Sequence, residues 1–134
     1  MDSVTIFFRD AASEMVEAEA IALGLVLETG HVDGPEGVGC WFSRYEDWLT
    51  ESDALERELV VARLGVSPRS AFALSCRHGK AAVFALQLAA QLMEKFAPAV
   101  IDDDRGGVWS SSDVRRAHDA GRVAGIFGLA ANGA

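Results

Sequence analysis

Apolar and polar positions alternate along the chain with two different periods, and the changes of period mark the elements. Residues 3–8, SVTIFF, are β-branched and aromatic, the composition of a strand. A helical period follows, with Met15, Ala18, Ala22 and Leu25 on one face. Asp10 or Ser13 is placed to cap that helix, Glu14 and Glu17 suit the positive end of its dipole, and Gly24 is placed to end it. Residues 25–29, LVLET, fit either a continuation of the helix or a strand. The Gly/Pro-rich stretch 30–39, GHVDGPEGVG, reads as a loop. CWFSRY, residues 40–45, reads as a strand, and EDWLTES as a short link.

The second half is more sharply punctuated. Ser52 or Thr50 can cap a helix in which Leu55, Leu59 and Ala62 or Arg63 follow at helical spacing, and Gly65 with Pro68 supplies its stop. In SAFALSC, residues 70–76, Phe72, Leu74 and Cys76 share one face and Ala71, Ala73 and Ser75 the other, the alternation of a strand. After a turn at His78-Gly79, residues 80–96 form the longest predicted helix. Its polar stripe is Gln87, Gln91, Glu94 and Lys95, so it is expected at the centre of the core. Pro98 stops it, Val100-Ile101 and Val108-Trp109 are short strands across an aspartate-rich turn, and Ser112 caps a last helix carrying Arg115, Arg116 and Arg122. The Gly/Ala-rich tail from about residue 125 is expected to fray. This order of elements predicts an α+β fold, a mostly antiparallel sheet packed with helices, in a single domain over residues 1–134.

Charge changes the picture by its placement. Residues 1–58 hold 14 Asp/Glu against 3 Arg, a balance of −11, while residues 59–134 hold 6 acids against 9 Lys/Arg, a balance of +3, which together make the −8 of the chain. An anionic front half disfavours nucleic acid and anionic membranes and attracts a cationic partner. The start of the chain has no basic segment of a secretory signal, and its longest nearly apolar run, residues 81–93, is shorter than the ~20 residues of a membrane span, so a cytoplasmic location without membrane insertion is expected.

Candidate chemistry is sparse. In AVIDDDRGGVWSSSD, residues 99–113, Asp102, Asp104, Gly107, Trp109, Ser110 and Asp113 fall at positions 1, 3, 6, 8, 9 and 12 of a calcium loop. Gly106 at position 5, the short Asp113 at position 12 and Pro98 in the incoming helix depart from that motif. A phosphatase reading of the aspartates fails because about thirty residues remain for the α/β core that would have to follow. The simpler reading is a turn, in which Asp caps backbone N–H groups and Gly allows positive φ. SCRHGKAA, residues 75–82, gathers Arg77, His78 and Lys80 at a helix N-terminus that can receive an anion, but Leu74 and Ala81 replace the residues a P-loop needs. Cys76 and His78 share a strand face and form the best available nucleophile and base, yet Cys40 and Cys76 read more simply as reduced core thiols. No cofactor or metal is expected, and no complete catalytic constellation appears.

Trp41, Phe42, Tyr45 and Trp48 form an aromatic cluster within the acidic half, which suits an interface with a basic protein. The candidate partner-binding residues are Trp41, Tyr45, Glu46, Asp47, Trp48, Glu51, Asp53, Asp102, Asp103 and Asp104. The segment LERELVVARLGVSPRSAFALSC, a long apolar helix ending in FAP, and the strand-turn AVIDDDRGGVW resemble small bacterial immunity proteins of contact-dependent or secreted polymorphic toxin systems. That resemblance implies a non-catalytic protein that neutralises a cognate toxin by occluding its active site. A calcium- or small-ligand-binding domain centred on the Asp102–Asp113 turn is the alternative.

Overall fold

The structure is a computed structural model that describes residues 2–103 and 107–121, apart from the Leu49 side chain. Its strands are β1 (Asp2–Phe8), β2 (Leu25–Val26), β3 (His31–Asp33), β4 (Gly39–Arg44), β5 (Ser70–Cys76), β6 (Ala99–Asp102) and β7 (Val108–Ser110). The helices are α1 (Ser13–Ala22), α2 (Trp48–Glu51), α3 (Ala54–Leu64), α4 (Lys80–Lys95) and α5 (Ser111–Asp119). The strands form one sheet in the order β2-β3-β4-β5-β1-β6-β7, and every neighbouring pair is antiparallel. This is the α+β fold that the alternation of periods predicts.

β1 lies between β5 and β6 because all three strands carry large apolar residues in register: Ile6 lies opposite both Phe72 and Ile101. On that face Val4, Ile6, Phe8, Phe42, Phe72 and Leu74 meet the apolar side of α4, and Phe42 stacks on Phe72 with centroids 4.7 Å apart. α4 buries Ala85, Leu86, Leu88, Ala89, Ala90, Leu92 and Met93 and leaves Gln87, Gln91 and Glu94 in solvent, the division its polar stripe predicts. The opposite face is covered over one end only, where Trp48, Val60 and Leu64 of α2 and α3 close over Phe7, Ala71 and Val100. Elsewhere that face carries Trp41 and His31 with smaller polar residues such as Ser3 and Ser75, whose hydroxyls are 2.7 Å apart.

Several local expectations are corrected. On α1 the expected inner residues Met15, Ala18 and Ala22 face solvent, and Val16 and Ala20 are the buried ones. An alanine-rich helix with apolar residues on most sides leaves its rotation to tertiary contacts, here Glu17 reaching Arg44 and Glu19 reaching Lys95. On α3 the row Leu55, Leu59 and Ala62 points outward, and Val60 with Leu64 faces the sheet. Two apolar i,i+4 rows overlap in that helix, and the pattern alone does not choose between them. The helix is capped by Asp53, whose Oδ1 accepts the Glu56 N–H, instead of by Ser52 or Thr50. It ends on Gly65 at φ 85°, as expected. α1 has no side-chain cap, and Ser110, not Ser112, caps α5. β2 resolves the ambiguity at 25–29 in favour of a short strand, β3 lies within the expected loop, and α2 lies within the expected link. The tail from residue 125 and Arg122 lie outside the described residues.

Candidate functional site: the α2–α3 edge

The acidic front half is less uniform than its sequence, because many of its carboxylates meet cations. Arg44 alone serves three, Glu17 at 2.6 Å, Glu14 at 3.5 Å and Glu46 at 3.6 Å, and its hydrogen bond to Glu17 raises its pKa further. Asp10 pairs with Arg9, Glu19 with Lys95 and Glu36 with Lys80. Glu28, which lies apart between β2 and β3, has no ion pair among the described residues, and neither do Asp47, Glu51, Asp53 and Glu58, all exposed on or beside α2 and α3. Beside them Leu55 is 66% exposed and Leu59 38%. Asp53 caps the helix while its charge faces water, and Glu51 accepts a 2.8 Å hydrogen bond from the Tyr45 hydroxyl. A shallow depression of about 560 Å³ lies along one shoulder of α3, lined by Ala54, Arg57, Glu58 and Val61.

Of the expected partner-binding residues, Glu46, Asp47, Glu51, Asp53 and Tyr45 therefore lie together at this end of the sheet, Glu46 partly offset by Arg44. The aromatic cluster does not assemble. Trp48 is buried against Phe7, centroids 5.0 Å apart in an edge-to-face contact, so it is core and not a contact residue. Trp41 is half-buried and packs edge-on against His31 at 5.0 Å on the far strands of the sheet. Leu55 and Leu59 take the place the tryptophans were expected to hold. The sequence carries that signal in the helical spacing of Leu55 and Leu59 along α3.

The aspartate turn is structural where it is described. Asp103 is buried, its Oδ1 accepting the Gly107 N–H at 2.9 Å and its Oδ2 the Trp109 indole N–H at 2.9 Å, while its own N–H donates to the Gly107 carbonyl. Placing Asp103 at an interface is thus corrected: its oxygens close the β6–β7 turn. Asp113 completes a capping box with Ser110 and also accepts from Arg116 at 2.6 Å. The Ser110 backbone N–H chiefly, then its hydroxyl and Arg116, hold the Asp113 carboxyl below its ordinary value against the opposing effect of burial. Asp102 is half-buried in β6, and Asp104 lies outside the described residues. Among the described residues no three His, Cys, Asp or Glu side chains gather in a way that could hold a metal ion.

Cys76 and His78 do not form a nucleophile and base. Cys76 lies in the core opposite Cys40, and burial pushes each thiol up to about 12, the reverse of an activated thiolate. His78 falls in the turn beyond β5, more than half exposed, with its Nδ1 3.7 Å from Asp2.

No family model, curated protein or solved structure matches this chain. Among the described residues no helix is long and apolar enough to cross a membrane.

Proposed function

We propose that the protein is a non-catalytic inhibitor that binds a basic partner protein, a cognate toxin, through the edge formed by α2 and α3. One observation carries this reading: two exposed leucines on the outward face of α3 are bordered by Asp47, Glu51, Asp53 and Glu58, four carboxylates with no ion pair among the described residues. Exposed apolar side chains supply contact energy at about 25 cal/mol per Å² removed from water, and a predominantly acidic rim, four carboxylates against Arg57 and Arg63 of α3, accelerates encounter with a cationic surface. The resemblance to immunity proteins agrees with this arrangement, since inhibition by occlusion needs a contact surface and no chemistry.

The test is association with the protein encoded by the adjacent reading frame, measured by surface plasmon resonance at low and high salt. Glu51→Lys with Glu58→Lys should slow association about tenfold or more at low salt and lose most of that effect at high salt. Leu55→Asp should mainly speed dissociation. Wild-type kinetics in both variants, with the adjacent protein still bound and neutralised, would remove the α2–α3 edge from the interface.

A further inference from the structure

β4 and β5 carry one cysteine each, Cys40 and Cys76, directly opposite one another in the ladder. Directly opposite residues point to the same face, and both thiols are buried in the main core. The register is held from within, because Phe42 of β4 stacks on Phe72 of β5, and a slip of one residue would turn a strand's core residues outward.

The backbone decides which kind of pair the cysteines form. In an antiparallel ladder, hydrogen-bonded pairs alternate with non-hydrogen-bonded ones, whose Cα atoms approach to about 4.5 Å instead of about 5.5 Å. The Tyr45 N–H donates to the Ala71 carbonyl at 2.8 Å, one step beyond the Arg44 and Phe72 pair, so Tyr45 and Ala71 are a hydrogen-bonded pair. Counting back by twos, Ser43 with Ala73 and Trp41 with Ser75 are hydrogen-bonded as well, which leaves Phe42 with Leu74 and Cys40 with Cys76 as the close pairs. The Phe42 N–H agrees, since it donates to the Gly30 carbonyl at 2.7 Å, on the side of β4 away from β5. A disulfide spans Cα atoms about 4.4–6.8 Å apart and Cβ atoms about 3.5–4.5 Å apart, and a close cross-strand pair meets both with little backbone movement.

The segment between the two cysteines, residues 41–75, carries the whole of α2 and α3. A bond at its ends would close that segment into a loop and restrict the unfolded chain, the usual source of a disulfide's stabilisation.

We propose that Cys40 and Cys76 are a redox pair, closing to a cross-strand disulfide under an oxidising thiol–disulfide poise and standing as the two thiols of this structure under a reducing one. The oxidant is a small disulfide such as oxidised glutathione. One cysteine, as thiolate, attacks a sulfur of the oxidant and expels the first glutathione thiolate; the second cysteine then attacks the mixed disulfide and expels the other. The two protons lost by the cysteines end on the two glutathione thiols, so each oxidant is reduced by two electrons. Burial sets when this happens. Neither thiol is exposed in the closed sheet, and enclosure opposes the thiolate, so the first attack belongs to the unfolded or locally opened chain. Pairing of β4 with β5 drives the second attack, because a close-packed core leaves no room for a glutathionyl group. The pair does not depend on the reading of the α2–α3 edge as an interface.

The test is refolding of the reduced full chain from urea in equimolar oxidised and reduced glutathione at about pH 8, where the thiols of an unfolded chain ionise appreciably. After an acid quench the chain should have lost both free thiols and the mass of two hydrogens, and digestion without reductant should release one joined peptide holding Cys40 and Cys76. Its urea midpoint should lie above that of the reduced chain by about 1 M. Native chain kept in the same buffer just below its unfolding midpoint should reach the same product, which makes the result independent of refolding yield. Cys76→Val, which keeps an apolar side chain in the core, should fold with Cys40 as a free thiol. A native chain with both thiols still free, a glutathione adduct as the end product of either chain, a covalent dimer, or an oxidised chain no more stable than the reduced one would each overturn the proposal.

Discussion

Truncation of Asp103 should destabilise the fold, although it stands in an exposed-looking run of three aspartates. The carboxylate is 7% exposed and closes the β6–β7 turn from within. Asp103→Ala removes the acceptor of the Gly107 N–H and of the Trp109 indole N–H, both 2.9 Å bonds to a charged oxygen. A hydrogen bond to a charged group contributes about 1.5–3 kcal/mol, and a donor left enclosed costs its desolvation. Trp109 is half-buried, so water recovers part of the loss on its side. The sum is about 2–4 kcal/mol, which for a domain of this size lowers Tm by roughly 10 °C.

Urea unfolding followed by circular dichroism measures the effect. Asp103→Asn keeps one acceptor and should lose about half as much. A cycle of Asp103→Asn with Trp109→Phe should show a coupling of about 1 kcal/mol, because the two side chains share a bond. An Asp103→Ala variant within about 0.5 kcal/mol of wild type, or additive single variants, would refute the internal role. Charge reversal of Asp103 would act on the turn before any interface.

Other outcomes follow from single side chains. Because the Asp113 carboxyl is lower in the folded chain than when unfolded, the stability it contributes is fully present above the ordinary carboxylate range and is lost as pH falls through the folded value. Urea midpoints should therefore drop below about pH 4, and Asp113→Asn should flatten that part of the profile. Gly65→Ala should cost about 1 kcal/mol from backbone strain alone, since φ is 85° and a Cβ there meets nothing within 4 Å. Gly39→Ala should cost more, because its Cβ would lie 2.6 Å from the Val32 carbonyl oxygen and 2.8 Å from His31 Nε2; a Tm shift no larger than that of Gly65→Ala would refute the close approach. Cys40 and Cys76, buried thiols pushed up to about 12, should resist alkylation near neutral pH in the folded protein and react promptly in urea; equal rates in both states would refute their burial.

The fold was legible wherever a residue pattern had one solution. SVTIFF and SAFALSC are strands under any register, and α4 has a polar stripe too narrow to misplace. Legibility failed where two solutions were equally apolar. α3 offers Leu55 with Leu59 or Val60 with Leu64, and the choice belongs to Phe7, Ala71 and Val100, which arrive from distant parts of the chain. α1, with apolar or small residues on several sides, is rotated by its glutamates, Glu17 toward Arg44 and Glu19 toward Lys95. β3 was hidden because its three residues, HVD, lie among glycines and gain their structure from pairing with β4.

The candidate interface shows the same limit in electrostatic form. A sequence counts carboxylates, whereas a surface field depends on which of them are answered. Arg44 holds Glu14, Glu17 and Glu46 because β4 passes beside α1, and Asp103 faces inward because Gly107 leaves space for it; neither fact has a local signature. Apart from Glu28 between β2 and β3, the exposed front-half charge without an ion pair among the described residues falls at Asp47, Glu51, Asp53 and Glu58, beside the leucines that the core did not take. An exposed leucine costs little alone and is common on protein surfaces. Two of them one helical turn apart, bordered by four acids without ion pairs, combine contact area with long-range attraction, and a cationic protein surface is the partner for which both serve.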